Sequence, residues 1–282
     1  MKKILSLALL IFSITVFGQK NSKNKGVYAP VEITKSDGSK MTVFLKRITL
    51  PKLSNFKYVF GGNQNANVKI EYKTSENGSP EKMNSKDIVR FRFLDQDEEE
   101  IAAYERLHVK VFDKNNVLKD TKQVMYMPLV YEGKINVYGE ANFLCQSSPN
   151  SNKIVPGTCE YAYSTFYLKN NQENFAVTPL DIKIFNKERT YDNFMNAYKA
   201  AGKECSEFTA YLNNLRSKVE DKEFTRKMRD EAISYRKEVK KNSRDLDLNK
   251  EERVDYVGRK LFLQEAQFYV NIVKEYEKNC PN

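Results

Sequence analysis

The sequence predicts an α+β protein, with an N-terminal antiparallel β sandwich or open barrel followed by a C-terminal helical bundle. Two observations predict this fold class. Over residues 27–186, apolar and polar residues alternate in short stretches separated by turn-forming residues, which is typical of antiparallel β architectures. Over residues 187–282, apolar residues recur at helical spacing, and no proline occurs between Pro179 and Pro281.

The first eighteen residues predict a secretory signal peptide. Lys2 and Lys3 give a positive start, residues 4–17 are apolar, and Gly18 is a small residue where a signal peptidase cleaves. The apolar run is shorter than the roughly 20 residues of a membrane span. We therefore expect cleavage before Gln19, a flexible leader over residues 19–26, and no transmembrane span in the mature chain. The expected location is the periplasm, the outer membrane or the cell exterior.

The β-rich region begins with a predicted hairpin. Val31 and Ile33 alternate before the turn-forming stretch 36–39, and Val43 and Leu45 alternate after it. This pattern predicts two antiparallel strands that share one buried face.

Two later stretches also have strand character. Residues 88–93 predict a half-buried strand that places Arg90 and Arg92 on one face and its aromatic residues on the other. Residues 124–130 are apolar, but Pro128 confines that strand to a sheet edge or a bulge because proline has no N–H to donate.

The C-terminal region predicts four helices. Thr190 is the expected cap of the first, which ends at Gly202. Asn249 opens the last, and Glu252 stands at the capping-box position. The two helices between them are marked by Phe208, Tyr211, Leu212, Leu215 and Val219, and by Phe224, Met228, Tyr235 and Val239.

The four cysteines predict two disulfides, since an even number in an exported chain is typical of a disulfide framework. Three connectivities are open, and no C-x-x-C pair indicates redox or zinc chemistry. Cys145 and Cys159 end strands on either side of a loop rich in Ser, Asn, Pro and Gly, so we expect them to pair. Cys205 and Cys280 then form the second bridge, between the second helix and the end of the last.

Part of the chain resembles a group of exported bacterial proteins that have no established activity. The resemblance rests on the stretch Met-Pro-Leu-Val-Tyr-Glu-Gly-Lys-Ile-Asn-Val-Tyr at 127–138, on residues 166–169 and on residues 194–205. Members of the group have a β-rich N-terminal region, a second tyrosine-rich strand and a helical tail bearing a cysteine. The resemblance covers residues 27–215 and implies architecture and export only; the tail from about residue 220 is longer than in shorter members.

Tyrosines on the predicted strands are the candidate binding surface. Aromatic faces stack on sugars or anchor protein partners. Tyrosine is also a good strand former, and a purely structural role is the alternative. The candidates are Tyr131, Tyr138, Tyr161, Tyr163 and Tyr167.

Three other features are candidates for chemical sites. The acidic run 95–100 and the alternating acids of 245–251 supply oxygen ligands that suit calcium, but both lack features of a calcium loop. A solvated loop and a helix-capping connector are the favoured interpretations. His108, the only histidine, has no nucleophile signature beside it, so we expect a strand residue and not a general base.

The third predicted helix is strongly basic. Acidic residues interleave with the cations, which indicates an ion-paired, solvated helix; binding to an anionic surface is the alternative. The cations are Arg226, Lys227, Arg229, Arg236, Lys237, Lys240, Lys241 and Arg244.

These observations favour an exported, non-enzymatic binding or envelope-associated protein that uses an aromatic β surface. The alternatives are an envelope-polymer hydrolase with paired carboxylates and a secreted effector. We predict no catalytic residue, metal or cofactor. The formal charge of +10 favours acidic partners. An envelope protein or polysaccharide is the expected kind of partner, and nucleic acid is not expected.

Overall fold

A computed structural model of the chain describes residues 28–46, 69–95, 103–145, 159–180, 187–202 and 205–280. The predicted signal peptide and leader, most of the acidic run 95–100 and the loop between Cys145 and Cys159 lie outside these ranges. In the described ranges, every helix is too short or too polar to cross a membrane.

Ten strands form one sheet with the order β10-β9-β8-β7-β6-β5-β1-β2-β3-β4. The strands are β1 (Tyr28–Lys35), β2 (Lys40–Lys46), β3 (Lys69–Lys73), β4 (Glu81–Asn84), β5 (Ile88–Phe93), β6 (Ala103–Phe112), β7 (Leu118–Tyr131), β8 (Ile135–Leu144), β9 (Glu160–Asn170) and β10 (Phe175–Val177).

The sheet closes on itself at one end. Strand β10 pairs antiparallel with β9 and also pairs parallel with the second half of β6, so β6 to β10 form a ring. The first half of β6 pairs instead with β5, and from there the sheet continues to β4. The described strands therefore make a single, partly closed sheet and not the two facing sheets of a sandwich.

Strands β6 and β7 have a buried face on each side. Leu107 and Met127 belong to an apolar cluster inside the ring, whereas Tyr104 packs with Phe91 in a second cluster under β1, β2 and β5. Because successive strand residues point to opposite faces, the two clusters lie on opposite sides of β6 and β7. Beside this second cluster, the Tyr126 hydroxyl links β7 to β5 by donating a hydrogen bond to the Ile88 carbonyl at 2.7 Å.

Four helices follow: α1 (Lys187–Ala201), α2 (Ser206–Glu220), α3 (Lys222–Asn242) and α4 (Lys250–Asn279). Helix α4 lies on the outer face of β8 and β9, where Val137 and Leu168 share one core cluster with Phe262 and Ile272. The α+β class is confirmed. The helices bury their apolar faces against β8 to β10 as well as against one another, so this core is shared with the sheet.

Local sequence signals predicted most of the boundaries. Asn249 caps α4 in a capping box with Glu252, as predicted. Thr190, by contrast, lies inside α1, which begins at Lys187, so it is not the cap. Pro128 lies in a central strand, but the β7–β8 ladder has a register shift between Leu129 and Tyr131, so it stands beside a bulge, as proline in a sheet requires.

Both disulfides join the cysteines that the sequence predicts. Cys145 and Cys159 are bridged with their Cα atoms 3.9 Å apart, at the end of the β8–β9 hairpin. Cys205 and Cys280 are bridged with their Cα atoms 6.1 Å apart. The second bridge links the residue before α2 to the residue after α4, and it fixes the end of the chain to the helical layer.

Candidate functional site

The predicted aromatic surface does not exist as a surface, because three of its five tyrosines are core residues. Tyr138 is 0% exposed, and Tyr161 and Tyr167 are each 7% exposed. Burial raises the pKa of all three hydroxyls well above the ordinary tyrosine value. A partner cannot reach them without unfolding the sheet.

A bulge explains why Tyr161 and Tyr167 do not share a face. Asn142 pairs with Tyr163 but Phe143 pairs with Tyr161, which leaves Ala162 as an extra residue on β9. An extra residue reverses the alternation of side chains. Tyr161 therefore packs in the helical cluster, whereas Tyr167 points into the ring.

The remaining two tyrosines also do not form a patch. Tyr131 is half-buried, and its hydroxyl donates to the Glu277 carboxylate of α4 at 2.6 Å. Tyr163 is 40% exposed and is the one member of the set that presents a large accessible ring.

A buried polar network lies inside the ring of strands, and sequence reasoning missed it. The Glu105 carboxylate accepts a hydrogen bond from the Tyr138 hydroxyl at 2.6 Å and pairs with the Lys169 ammonium at 2.9 Å. The Asn136 amide donates to the Tyr138 oxygen at 3.1 Å. Polar residues within apolar strands hint at these positions, but their meeting depends on the strand order β6-β7-β8-β9 and on the closure of the ring.

A second charged group lies at the β7–β8 turn, near this network. Arg90 donates to both oxygens of Glu132 at 2.8 and 2.9 Å, and Arg92 donates to one of them at 2.9 Å. The hydrogen bond from the Arg90 guanidinium is the main reason that the pKa of Glu132 lies below its usual value. Arg90 and Arg92 thus share a face, as predicted, and that face holds a carboxylate.

Glu105 and Glu132 do not have the properties of the paired catalytic carboxylates of a hydrolase. Glu105 is enclosed and already bonded to a hydroxyl and an ammonium, and Glu132 is neutralised by two guanidinium groups. A general acid needs a raised pKa and access to substrate. The arrangement instead stabilises the fold.

A shallow cavity of about 290 Å³ at the β1–β2 turn contains two further acids, Asp37 and Asp87. Asp37 accepts from the Ser39 amide at 2.8 Å, and hydrogen bonds from Ser39 lower its pKa. Asp87 accepts from the Asn84 amide at 3.3 Å. These bonds organise the turns, and the lowered pKa of Asp37 is the opposite of what a general acid requires.

The other sequence candidates fall in ordinary structural places. His108 is exposed on β6. In the stretch 245–251, Asn249 serves as a helix cap, in agreement with the favoured interpretation. Of the run 95–100, only Asp95 lies within the described ranges. Those ranges contain no group of three or more His, Cys, Asp or Glu side chains placed to hold a metal.

Helix α3 carries the densest exposed charge that we find. Asp221 caps it by accepting from the Phe224 amide at 2.7 Å. The helix then turns Tyr235 and Val239 toward the rest of the helical layer. Its first thirteen residues are exposed apart from the half-buried Phe224, so this part of the helix projects into solvent.

The outer side of α3 is positively charged along its length. The helix carries eight lysine and arginine residues against four acids, a net charge of +4. We define the basic surface as the seven exposed cations of the helix: Lys222, Arg226, Lys227, Arg229, Lys237, Lys240 and Lys241.

The acids of α3 neutralise this surface only in part. Glu223 lies 3.9 Å from Arg226 and is exposed, so the pair is weak. Asp230 lies 3.7 Å from Arg229 and, seven residues before Lys237, on the same side of the helix as that lysine. Within the described residues, no ion pair forms to Lys237, Lys240 or Lys241. The predicted ion-paired helix is therefore only partly ion-paired.

Comparisons with known proteins add no analogy for this site. No protein-family model matches the chain, and neither a curated protein nor a solved structure matches it.

Proposed function

We propose that the protein is an exported, non-enzymatic binding protein of the cell envelope, and that it holds an anionic partner on the basic surface of α3. The observation that carries this proposal is the exposed row of cations with few acidic partners. The predicted signal peptide and the two disulfides support export, because disulfides persist in oxidising compartments. The resemblance to exported bacterial proteins supports the same assignment.

The distribution of contacts supports placing the binding surface on the helices. Polar side chains of the sheet bond to one another, as Tyr138 does to Glu105 and Arg90 to Glu132. The lysines of α3 are free to meet a partner. A row of like charges raises the local concentration of an oppositely charged partner and speeds its association.

The test is sedimentation of the purified, exported protein with an envelope fraction. Reversing two cations in Lys237→Glu and Lys240→Glu together should remove most of the binding, and raising the salt concentration should weaken wild-type binding because it screens exposed charges. Circular dichroism should be unchanged, since both side chains are exposed. Thermal melting should fall only slightly, because Lys240→Glu places an acid in the last turn of α3, where the helix dipole favours a cation.

The matched control reverses two exposed lysines far from α3 in the chain, Lys82→Glu in the edge strand β4 and Lys86→Glu in the turn after it, with the same change in net charge. This variant should bind like the wild type. Equal loss in both double variants would show that net charge alone drives sedimentation and would refute a dedicated surface. Unchanged binding in both would refute the role of α3.

A further inference from the structure

We infer that the partner of the basic surface is the headgroup layer of an anionic lipid bilayer. This inference rests on the proposed function and names the chemistry of its partner. It depends on three features of α3: the line on which the cations lie, an apolar residue among them, and the predominance of lysine.

The cations follow one line along the helix. From Lys222 the positions of Arg226, Ile233, Lys237 and Lys240 are four, eleven, fifteen and eighteen residues on, which keeps them on one side of an α-helix. At 1.5 Å per residue, the row from 222 to 241 extends about 28 Å. All the cations of a straight row can contact one flat surface at the same time, and the surface of a bilayer carries phosphates along its whole extent.

An exposed apolar side chain lies at the centre of the row. Ile233 is 46% exposed, between Arg226 and Lys237. An isoleucine gains nothing from a hydrated polyanion, but it gains from an apolar layer just below a charged one. In a membrane interface, apolar side chains enter the headgroup boundary while cations meet the headgroups. On α3 both come from one side, because the other side packs Tyr235 and Val239 into the helical layer.

The choice of cation points the same way. Five of the seven residues of the basic surface are lysine. Arginine offers a rigid fork that matches fixed phosphate or carboxylate geometry, whereas lysine is a mobile point charge. Long lysine stems also lie along apolar material while the ammonium stays in water. A fluid layer of headgroups attracts charge that lies near its plane and does not require hydrogen bonds of fixed geometry.

The experiment measures partitioning of the exported protein onto vesicles. Vesicles of phosphatidylcholine with 30% phosphatidylglycerol, about one anionic lipid in three, are compared with phosphatidylcholine alone. Each lysine near an anionic surface contributes about fivefold to the partition coefficient. Lys237→Glu with Lys240→Glu should therefore lower it by at least about 25-fold, and Lys82→Glu with Lys86→Glu should leave it within about twofold.

The apolar contact has its own test. Ile233→Ser should lower partitioning about fivefold, the effect of removing roughly half of an isoleucine side chain from an apolar layer. The control is Val117→Ser, which changes a β-branched residue of similar exposure, 48%, in the β6–β7 turn. It should have no effect.

The outcomes separate this inference from the proposed function. Equal partitioning of Ile233→Ser and wild type would overturn the apolar contact, one of the three features on which the assignment rests, because charge alone would then account for binding. The bilayer assignment would be overturned if the wild type did not bind the vesicles but bound soluble dextran sulfate through Lys237 and Lys240. The proposal of an anionic partner on α3 would then still hold. If Lys237→Glu with Lys240→Glu loses envelope binding while the wild type does not bind vesicles, the bilayer assignment is again overturned and the anionic partner on α3 is retained. An envelope signal that is independent of Lys237 and Lys240, or that both double variants lose equally, removes both proposals.

Discussion

The hydroxyl of Tyr131 donates a hydrogen bond to the Glu277 carboxylate, with 2.6 Å between the two oxygens. Tyr131 ends β7, and Glu277 lies in the last turn of α4, 146 residues further along the chain. The other Glu277 oxygen accepts from the Lys134 amide at 2.7 Å. One carboxylate thus fastens the end of the chain to the β7–β8 turn.

This bond predicts a pH dependence of stability. The hydrogen bond to Glu277, followed by burial, raises the pKa of Tyr131 to about 12. A raised folded-state pKa means that the contribution is complete below about pH 10, the unfolded value, and is lost as the pH rises toward 12. We expect Tyr131→Phe to lower the free energy of unfolding by about 1 kcal/mol at pH 7. The deficit against wild type should shrink between pH 10 and 12.

Urea unfolding of wild type and Tyr131→Phe at pH 7, 10 and 12 checks this prediction. Tyr163→Phe is the control at an exposed position on β9. A Tyr131→Phe deficit that stays constant up to pH 12 would contradict the proposed role of the Glu277 bond.

The buried pair of Glu105 and Lys169 predicts an asymmetric response to mutation. Their side chains are 10% and 13% exposed. Glu105→Gln leaves the Lys169 ammonium enclosed without its counter-charge, so we expect a loss of about 3–5 kcal/mol. Replacing both residues with methionine should recover most of it, because neither charge then remains to be desolvated.

Chemical denaturation of Glu105→Gln, Glu105→Met, Lys169→Met and the double methionine variant measures this coupling. The companion variant Tyr138→Phe should cost less, about 1–2 kcal/mol, because it removes a hydroxyl and not a charge. Additive losses in the double methionine variant would show that the two side chains do not act as a pair.

Short-range signals in the sequence predicted much of this fold. The hairpin around residues 36–39, the capping box at Asn249 and the pairing of Cys145 with Cys159 each depend on residues close together in the chain. Turn chemistry, helix capping and a hairpin's loop act locally, so the sequence displays them directly. Even the long-range pairing of Cys205 with Cys280 was accessible, because only two cysteines remained for it.

The features that failed depend on pairings between distant strands. The tyrosine surface was wrong because one bulge, at Ala162, reverses the faces of β9 and because β8 is covered on both sides. The closure of the ring by β10 on β6 rests on three pairs of residues about 67 positions apart, such as Phe175 with His108. No local pattern encodes such a pairing. The charge and the exposure of α3 were visible in the sequence, but the incomplete pairing of its cations was not.

The two disulfides predict different losses of stability. In the chain-entropy model, stabilisation grows with the length of the closed loop. The Cys145–Cys159 bridge spans 14 positions and the Cys205–Cys280 bridge 75, so we expect losses of about 3 and above 4 kcal/mol when each pair is changed to serine. Guanidinium unfolding of the two double-serine variants compares them. A larger loss for Cys145 and Cys159 would mean that native-state contacts, and not loop length, dominate.

The close approach of Gly258 to Phe143 predicts a substitution whose effect reverses the usual rule. Glycine to alanine inside a helix normally stabilises by about 1 kcal/mol. Gly258 lies within α4 and faces the sheet, and a Cβ added there would collide with Cζ of Phe143. That ring is not free to withdraw, because it packs edge-on against Tyr161 with their centroids 5.8 Å apart.

We therefore expect Gly258→Ala to destabilise the protein by about 1–3 kcal/mol through overpacking. Adding Phe143→Leu should relieve the clash, so that the double variant is more stable than the sum of the two single losses predicts. Ser234→Ala on the exposed part of α3 is the matched helical control and should be neutral or slightly stabilising. Thermal and urea unfolding of the four variants give the comparison. A gain in stability for Gly258→Ala alone would mean that α4 does not press on β8 at this point.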